Sequence, residues 1–176
     1  MALHLCFLLI LSAGRLLAQD GVLYDQFFTS QTIRVDYFHS GNKEKEWFSV
    51  DRVYEEGAWP GTKVHLIDTL DYGEYVMRVY DVGTRKLIFS RGFSTIFNEW
   101  QTTDEAGTGV NKTTSETVRF PFPKESVQLT LSRRDKRMIF YEVFSATFDP
   151  NSEALINREK RRPSFKTSAL IKSGDP

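Results

Sequence analysis

Apolar and polar residues alternate along several short segments of this chain, and the alternation limits the fold more than any other feature. Ile33, Val35 and Tyr37 alternate with polar neighbours, and residues 127–131 repeat the pattern. A period of two places every second side chain on the same face of a β-strand. The 14 Phe and 7 Tyr residues also favour sheets over helices. The pattern therefore predicts strands that each bury one face.

Other segments extend this prediction. Residues 47–54 predict one strand, and residues 75–80 and 85–89 flank a glycine-containing turn typical of a hairpin. Residues 117–120 predict a strand that ends at Pro121, because proline has no N–H group to donate to a ladder. A count of about seven or eight short strands predicts an all-β fold, an antiparallel two-sheet β-sandwich of immunoglobulin-like or jelly-roll-like type.

Three segments depart from simple alternation. Residues 138–148 are apolar at both parities, which predicts a strand that is buried on both sides or central in its sheet. Residues 57–61 predict a turn, and residues 104–112 predict a polar loop. The body of the chain shows no long helical periodicity.

The start of the chain has the features of a secretory signal peptide. Residues 1–18 contain a short apolar run followed by small residues, with cleavage expected after Ala18. The run is too short to span a bilayer, which takes about 20 apolar residues. The predicted location is therefore secreted, periplasmic or at the cell surface. Cys6 is the single cysteine, so the mature chain has no disulfide, as is common in bacterial exported proteins.

We predict one β-sandwich domain over residues 19–158, followed by a basic linker over residues 159–176 that leads toward a further domain. Residues 151–176 hold six basic and three acidic residues, a net charge of +3, whereas the rest of the mature chain carries about −4. Nucleic-acid-binding domains have a strong basic excess, so nucleic acid is not a predicted partner.

Candidate metal ligands and nucleophiles are few. His39 and His65 lie 26 residues apart, outside any known spacing of zinc ligands, so we expect surface or strand-end histidines. Ser94 follows Gly92 as in a nucleophile elbow, but the second glycine of that motif is absent, so we expect a loop serine. The sequence predicts no catalytic residue, no metal ligand and no bound cofactor.

Two pairs of neighbouring acids, Glu55–Glu56 and Asp104–Glu105, are the remaining catalytic candidates. A glycoside hydrolase needs two carboxylates roughly 5–9 Å apart across a cleft. Neighbouring residues of a strand face opposite ways, so neither pair alone gives this arrangement. We expect solvated turn charges at these positions.

Four aromatic side chains form the candidate interaction surface: Trp59, Phe93, Phe97 and Trp100. Aromatic rings can bind a glycan or anchor a protein, although most aromatics of sheet proteins pack in the core. A stand-alone secreted module that binds glycan or protein is therefore the alternative function. Residues 90–103, which hold three of these aromatics, predict an irregular crossing over the sandwich.

The same region carries a family resemblance. The segment reads Arg91-Gly92-Phe93-Ser94-Thr95-Ile96-Phe97-Asn98-Glu99-Trp100-Gln101-Thr102-Thr103. Further segments agree with it in order: residues 33–41, 51–61, 66–70, 119–123 and the turn at Arg134-Asp135. As a set, covering about residues 25–158, they resemble the N-terminal domain of the IgA-peptidase family of bacterial zinc metallopeptidases (metallopeptidase family 64).

The resemblance implies a β-sandwich that, in the family, precedes a zinc peptidase domain of the metzincin type. It implies that the glutamate of an H-E-x-x-H motif acts as general base in that second domain. Neither the zinc ligands nor this glutamate maps onto a position of the present chain, so we expect the chain to be proteolytically inert. Its expected function is that of a non-catalytic accessory domain, which packs on the catalytic domain or aids substrate presentation.

Overall fold

The computed structural model describes residues 22–152 and 154–158. The predicted signal peptide (residues 1–18) and the predicted linker (residues 159–176) lie outside these residues. The elements follow in the order α1 (Tyr24–Phe27), β1 (Phe28–Gly41), β2 (Glu46–Ala58), β3 (Tyr75–Asp81), β4 (Leu87–Phe93), α2 (Ile96–Gln101), α3 (Asp104–Gly107), β5 (Lys112–Pro123), β6 (Val127–Arg134), β7 (Phe140–Phe148) and β8 (Ile156–Asn157). Across the described ranges, no helix is long and apolar enough to cross a membrane.

The strands form two four-stranded sheets, so the predicted all-β two-sheet sandwich is confirmed. The first sheet has the order β5-β1-β2-β8, and the second has the order β4-β3-β6-β7. Neighbouring strands are antiparallel, except that β8 runs parallel to β2. The strands β1 and β2 have 14 and 13 residues, and are therefore longer than the short strands expected.

The core lies between the inner faces of the two sheets. Ile33, Val35 and Tyr37 of β1 are buried, as the alternation predicts. Leu129 and Leu131 of β6 are also fully buried and belong to the same core cluster. Full burial of such an apolar side chain contributes about 1.5–3 kcal/mol. The alternating faces of the strands therefore hold the two sheets together.

The hairpin predicted from residues 75–89 is confirmed as β3 and β4. Its turn is held by the buried Asp81, whose carboxylate accepts hydrogen bonds from the Thr84 backbone N–H (2.7 Å) and hydroxyl (2.6 Å). Arg85 follows in the left-handed region at φ 58°. A short acidic side chain often closes a turn in this way, because it replaces a backbone acceptor.

β5 continues through Pro121 to Pro123, so the strand end predicted at Pro121 is wrong. Thr32 pairs with Pro121 and Phe28 pairs with Pro123 in the ladder between β1 and β5. β5 is an edge strand. An edge strand accepts proline because the missing N–H can face the open side of the sheet.

β7 is a second edge strand. The prediction of a strand at residues 138–148 that is buried on both sides or central in its sheet is therefore wrong. Phe144 packs against the core, whereas Phe140 lies beneath the guanidinium groups of Arg78 and Arg134, 5.4 and 4.5 Å from its ring centroid. Phe140 and Phe144 have the same parity, and the register shift between Leu131 and Ser132 of the paired strand lets one lie under arginines while the other faces the core.

Two segments predicted to be irregular contain regular structure. The first two residues of the turn predicted at residues 57–61 belong to β2. The loop predicted at residues 104–112 begins with α3, so this part of the prediction is wrong. The Thr103 hydroxyl caps α3 by accepting a hydrogen bond from the Ala106 backbone N–H (3.4 Å). A threonine at this position favours a helix start even where no helical periodicity follows.

Residues 59–74 pack along the free side of β4. The Ser90 backbone N–H donates to a carbonyl of this loop (2.9 Å), and the Gly92 backbone N–H donates to the Asp68 carboxylate (2.7 Å). A Cβ atom on Gly92 would lie 1.9 Å from the Tyr72 carbonyl oxygen. Glycine is therefore required for this approach, and the loop covers an edge that would otherwise be open.

Candidate functional site

A buried polar cluster lies between the sheets at the end of the sandwich that carries α2, with His39 at its centre. His39 continues the inward-facing row of β1 that begins at Ile33, and its exposed fraction is 0%. The rings of Phe48 and Phe97 stack on the imidazole, each with a centroid separation of 4.1 Å and interplanar angles of 26° and 30°. These rings exclude water from the faces of the imidazole.

Both ring nitrogens of His39 meet carboxylates. Nε2 lies 3.1 Å from Oε2 of Glu46, and Nδ1 lies 3.2 Å from Oε2 of Glu116. An ionised carboxylate only accepts hydrogen bonds, so both contacts are satisfied only when both nitrogens carry a proton. Burial lowers the pKa of His39, but the two carboxylates outweigh burial and raise this pKa above its ordinary value. The arrangement therefore favours the imidazolium.

Each carboxylate also accepts hydrogen bonds from other strands. Oε2 of Glu46 accepts from the Tyr75 hydroxyl (2.6 Å) and from Nη1 of Arg133 (3.0 Å). Oε2 of Glu116 accepts from the Tyr37 hydroxyl (3.0 Å). Burial raises the pKa of both glutamates, but the hydrogen bonds outweigh burial and hold each pKa below its ordinary value. We call the following six residues the His39 cluster: Tyr37, His39, Glu46, Tyr75, Glu116 and Arg133.

The first turn of α2 is attached to this cluster. Thr95 caps the helix, and its hydroxyl accepts a hydrogen bond from the Asn98 backbone N–H (2.9 Å). The Phe97 backbone N–H donates to Oε1 of Glu116 (3.1 Å), so a second free donor of the helix start is satisfied. Oδ1 of Asn98 accepts from Nη2 of Arg133 (3.2 Å). The cluster therefore connects α2 to both sheets.

The expectation of a surface histidine is wrong for His39, since its side chain is fully buried, although His39 does lie near the end of β1. One signal in the sequence was available, because His39 continues the two-residue period of Ile33, Val35 and Tyr37. His65 is exposed, as expected. Over the part of the chain that the structure describes, no group of three or more His, Cys, Asp or Glu residues could hold a metal ion.

The four aromatic residues predicted as an interaction surface lie in two places. Phe97 and Trp100 of α2 are 0% and 6% exposed, and their ring centroids are 5.2 Å apart. Phe93, at the end of β4, is half-buried and lies 5.8 Å from the ring of Tyr75. Trp59 is half-buried and packs on the core beyond the end of β2. The fold thus brings three of the four residues to the His39 cluster and leaves Trp59 at the opposite end.

Three of the four acids considered as catalytic candidates have structural partners, and the fourth, Asp104, is exposed in the first turn of α3. Glu56 forms an ion pair with Arg34 (2.6 Å), and Glu55 forms one with Arg158 (2.8 Å). Glu105 accepts a hydrogen bond from the indole N–H of Trp100 in α2 (2.7 Å). Glu55 and Glu56 lie within β2, so they are strand residues rather than the turn charges expected.

Ser94 lies in the short connection between β4 and α2. It is exposed, and its hydroxyl accepts a hydrogen bond from the Glu74 backbone N–H (3.5 Å). It is therefore a loop serine, as expected. The irregular crossing predicted over residues 90–103 consists of the end of β4, this connection and α2.

The family described as Peptidase M64 N-terminus matches residues 23–145. The match covers most of the chain and includes every residue of the His39 cluster. The chain belongs to this family. No curated protein matches the chain. The resemblance to an N-terminal domain of metallopeptidase family 64 is thereby confirmed at the level of the family.

In this M64 N-terminal domain, the matched residues contain seven of the described strands in whole or in part, and end within β7. The His39 cluster lies inside the matched fold. The exposed fraction is 0% for the His39 side chain and 8% for those of Glu46 and Glu116. The imidazole and both carboxylates are therefore shielded from solvent. A buried polar network with satisfied partners fixes the arrangement of the elements that contribute to it.

Proposed function

We propose that the chain is the non-catalytic N-terminal accessory domain of an exported zinc peptidase of the IgA-peptidase type. The match to Peptidase M64 N-terminus carries the proposal, because that family is by description the N-terminal part of a peptidase. The site geometry supports it, since the buried titratable groups bind one another instead of lining a cleft. The zinc ligands and general base of the resembled peptidases map onto no position of the chain.

The proposed role is to pack on the catalytic domain or to hold substrate beside it. The proposed contact surface is the sandwich end that carries α2, where Phe93, Phe97 and Trp100 lie. Exposed apolar side chains occur at the same end, including Tyr72 (73% exposed) and Ile96 (67% exposed). Apolar side chains that remain in contact with water mark surfaces where a second domain docks.

The proposal also places the protein outside the cytoplasm, because residues 1–18 have the features of a signal peptide. Expression of the whole sequence in a bacterial host, followed by mass spectrometry of the exported protein, tests this. The expected exported product begins at Gln19. Recovery of a cytoplasmic product that keeps Met1 would contradict export.

The decisive experiment concerns the reading frame downstream of Pro176 in the gene. We expect it to continue into a domain with an H-E-x-x-H motif. The full-length product should then hydrolyse a protein substrate and lose this activity with a zinc chelator, whereas residues 19–176 with added zinc should not. A frame without such a motif, or zinc-dependent hydrolysis by residues 19–176 alone, would overturn the proposal.

A further inference from the structure

Glu116 binds the proton-carrying side chain and the helix α2 at the same time. Its Oε2 atom bonds Nδ1 of His39 (3.2 Å), and its Oε1 atom accepts from the Phe97 backbone N–H (3.1 Å). The Phe97 ring also stacks on the imidazole, with centroids 4.1 Å apart. The residues that hold the proton of His39 are thus the ones that hold the first turn of α2.

The two buried carboxylates, Glu46 and Glu116, are balanced by the two cations Arg133 and His39 only while His39 is protonated; Glu74, whose side chain is 35% exposed, is largely solvated. Glu46 of β2 and Glu116 of β5 face its nitrogens, and Arg133 of β6 bonds Glu46 (3.0 Å) and Glu74 (3.3 Å). Among the described residues, Glu116 forms its ion pair with His39. Tyr75 of β3 and Tyr37 of β1 donate to these carboxylates as neutral groups. A neutral imidazole turns a nitrogen lone pair toward one carboxylate and leaves buried negative charge without a cation.

The segment attached to this cluster has its own small apolar cluster. Phe97, Trp100 and Ala106 pack together, separate from the main core between the sheets. Elsewhere, the side-chain amide of Gln101 donates to the Asn42 carbonyl oxygen (2.7 Å). The apolar cluster of α2 and α3 is therefore separate from the main core, and parts of a protein with few core contacts open at the lowest free-energy cost.

We propose that His39 is a proton-operated clamp for α2 and α3. With both nitrogens protonated, His39 and Glu116 hold the two helices on the sandwich. Loss of one proton to solvent removes one of the two His39 hydrogen bonds and leaves a buried carboxylate without a cation, which weakens the attachment so that the helices move off and Phe97 and Trp100 become accessible. Of the four aromatic residues predicted as an interaction surface, Phe97 and Trp100 are then exposed only in the deprotonated form. The inference does not depend on the identity of the parent peptidase.

Trp100 itself reports the clamp, because it is 6% exposed in the docked state. In the full chain with Trp47→Phe and Trp59→Phe, Trp100 is the single fluorescent indole. We expect acrylamide quenching of its emission to increase several-fold as the pH rises from about 5 to about 9. The midpoint should equal that of the His39 titration, followed by NMR on the same variant.

Two further variants make the test specific. His39→Gln keeps a polar side chain but does not titrate, so quenching of Trp100 should lose its pH dependence. The exposed His65 is the matched control, and His65→Gln should keep it. If the double tryptophan variant does not fold, exchange of the Trp100 indole N–H in the unsubstituted chain gives the same readout. Quenching or exchange that stays constant while His39 titrates, or a His39 that stays protonated throughout, would overturn the proposal.

Discussion

Arg133 and Glu46 form an ion pair across the two sheets, with Nη1 3.0 Å from Oε2. Arg133 belongs to β6 and Glu46 belongs to β2, so this contact joins the sheets at the end where His39 lies. The exposed fractions of the two side chains are 21% and 8%. Removal of either partner would leave the other with a single counterion, His39 for Glu46 or Glu74 for Arg133, and loss of charge compensation at a largely buried group is costly.

We expect Arg133→Met to lower the free energy of unfolding by about 2–4 kcal/mol, because it leaves the cluster with excess negative charge. Urea denaturation near neutral pH measures this. Arg137→Met is the matched control, since Arg137 is 81% exposed in its 3.3 Å ion pair with Asp135. An exposed pair contributes about 0–1 kcal/mol. Equal losses in the two variants would contradict a structural role for the buried pair.

The stability of the domain should be highest in a mildly acidic window. The pKa values of Glu46 and Glu116 are lowered by folding, so their contribution is complete above the ordinary value of 4.5 and is lost as the pH falls below it. The pKa of His39 is raised by folding, so its contribution is complete below the ordinary value of 6.5 and is lost as the pH rises through the folded-state pKa. Urea titrations should therefore show a maximum between about pH 4.5 and about pH 6.5.

Two histidine variants separate the causes of this profile. His65→Gln should leave the profile unchanged, because His65 is exposed. His39→Gln should lower stability and remove the decline on the alkaline side. An unfolding free energy in the unsubstituted chain that does not fall between about pH 6.5 and about pH 9 would contradict the role of the His39 proton.

Gly92→Ala should destabilise the fold by about 1–3 kcal/mol or more, because the new Cβ atom overlaps the Tyr72 carbonyl oxygen. Thermal unfolding measures the loss. Gly107→Ala serves as the control: the nearest atom to its added Cβ is the flexible Lys43 Nζ at 3.7 Å, so a change of less than about 1 kcal/mol is expected. A neutral Gly92→Ala would show that residues 59–74 do not need to approach β4 so closely.

Phe97→Ala should undock α2 while the sheets remain folded. The substitution removes a fully buried ring, and such a change costs about 3–5 kcal/mol. The destabilised part is the small apolar cluster that α2 and α3 share. With Trp47→Phe and Trp59→Phe in the same chain, so that Trp100 is the single indole, we expect a red shift of its emission and an unchanged far-ultraviolet spectrum of the strands. Ile96→Ala is the control: its side chain is 67% exposed, so the wavelength of the Trp100 emission maximum should not change.

The sandwich could be predicted from the sequence because its strands bury alternate side chains. The same period, carried two residues beyond Tyr37, places His39 on the inner face. The partners of His39 could not be predicted in this way. Glu116 lies 77 residues away and Arg133 joins the cluster from the other sheet, so no local pattern links them. Contacts of this kind depend on how the two sheets are packed, which a single strand pattern does not contain.

The position of β7 shows a second limit of the sequence pattern. Apolar residues at both odd and even positions of this strand predict burial on both of its faces. Instead, the long side chains of Arg78 and Arg134 cover Phe140 on the outer face of the sheet. The apolar stems and flat guanidinium groups of these arginines shield the ring in part, and Phe140 is half-buried. A strand can therefore be rich in apolar residues on both sides and still lie at an edge.

The prolines of β5 have a consequence for how copies of the protein meet one another. Pro121 and Pro123 are buried and carry no N–H group, so this end of β5 offers an approaching strand neither free space nor those two backbone donors. The side is therefore a poor template for edge-to-edge aggregation, the hazard that accompanies any open β-sheet. Replacing both prolines with valine would restore the two backbone donors and favour strand pairing between copies of the protein at this edge.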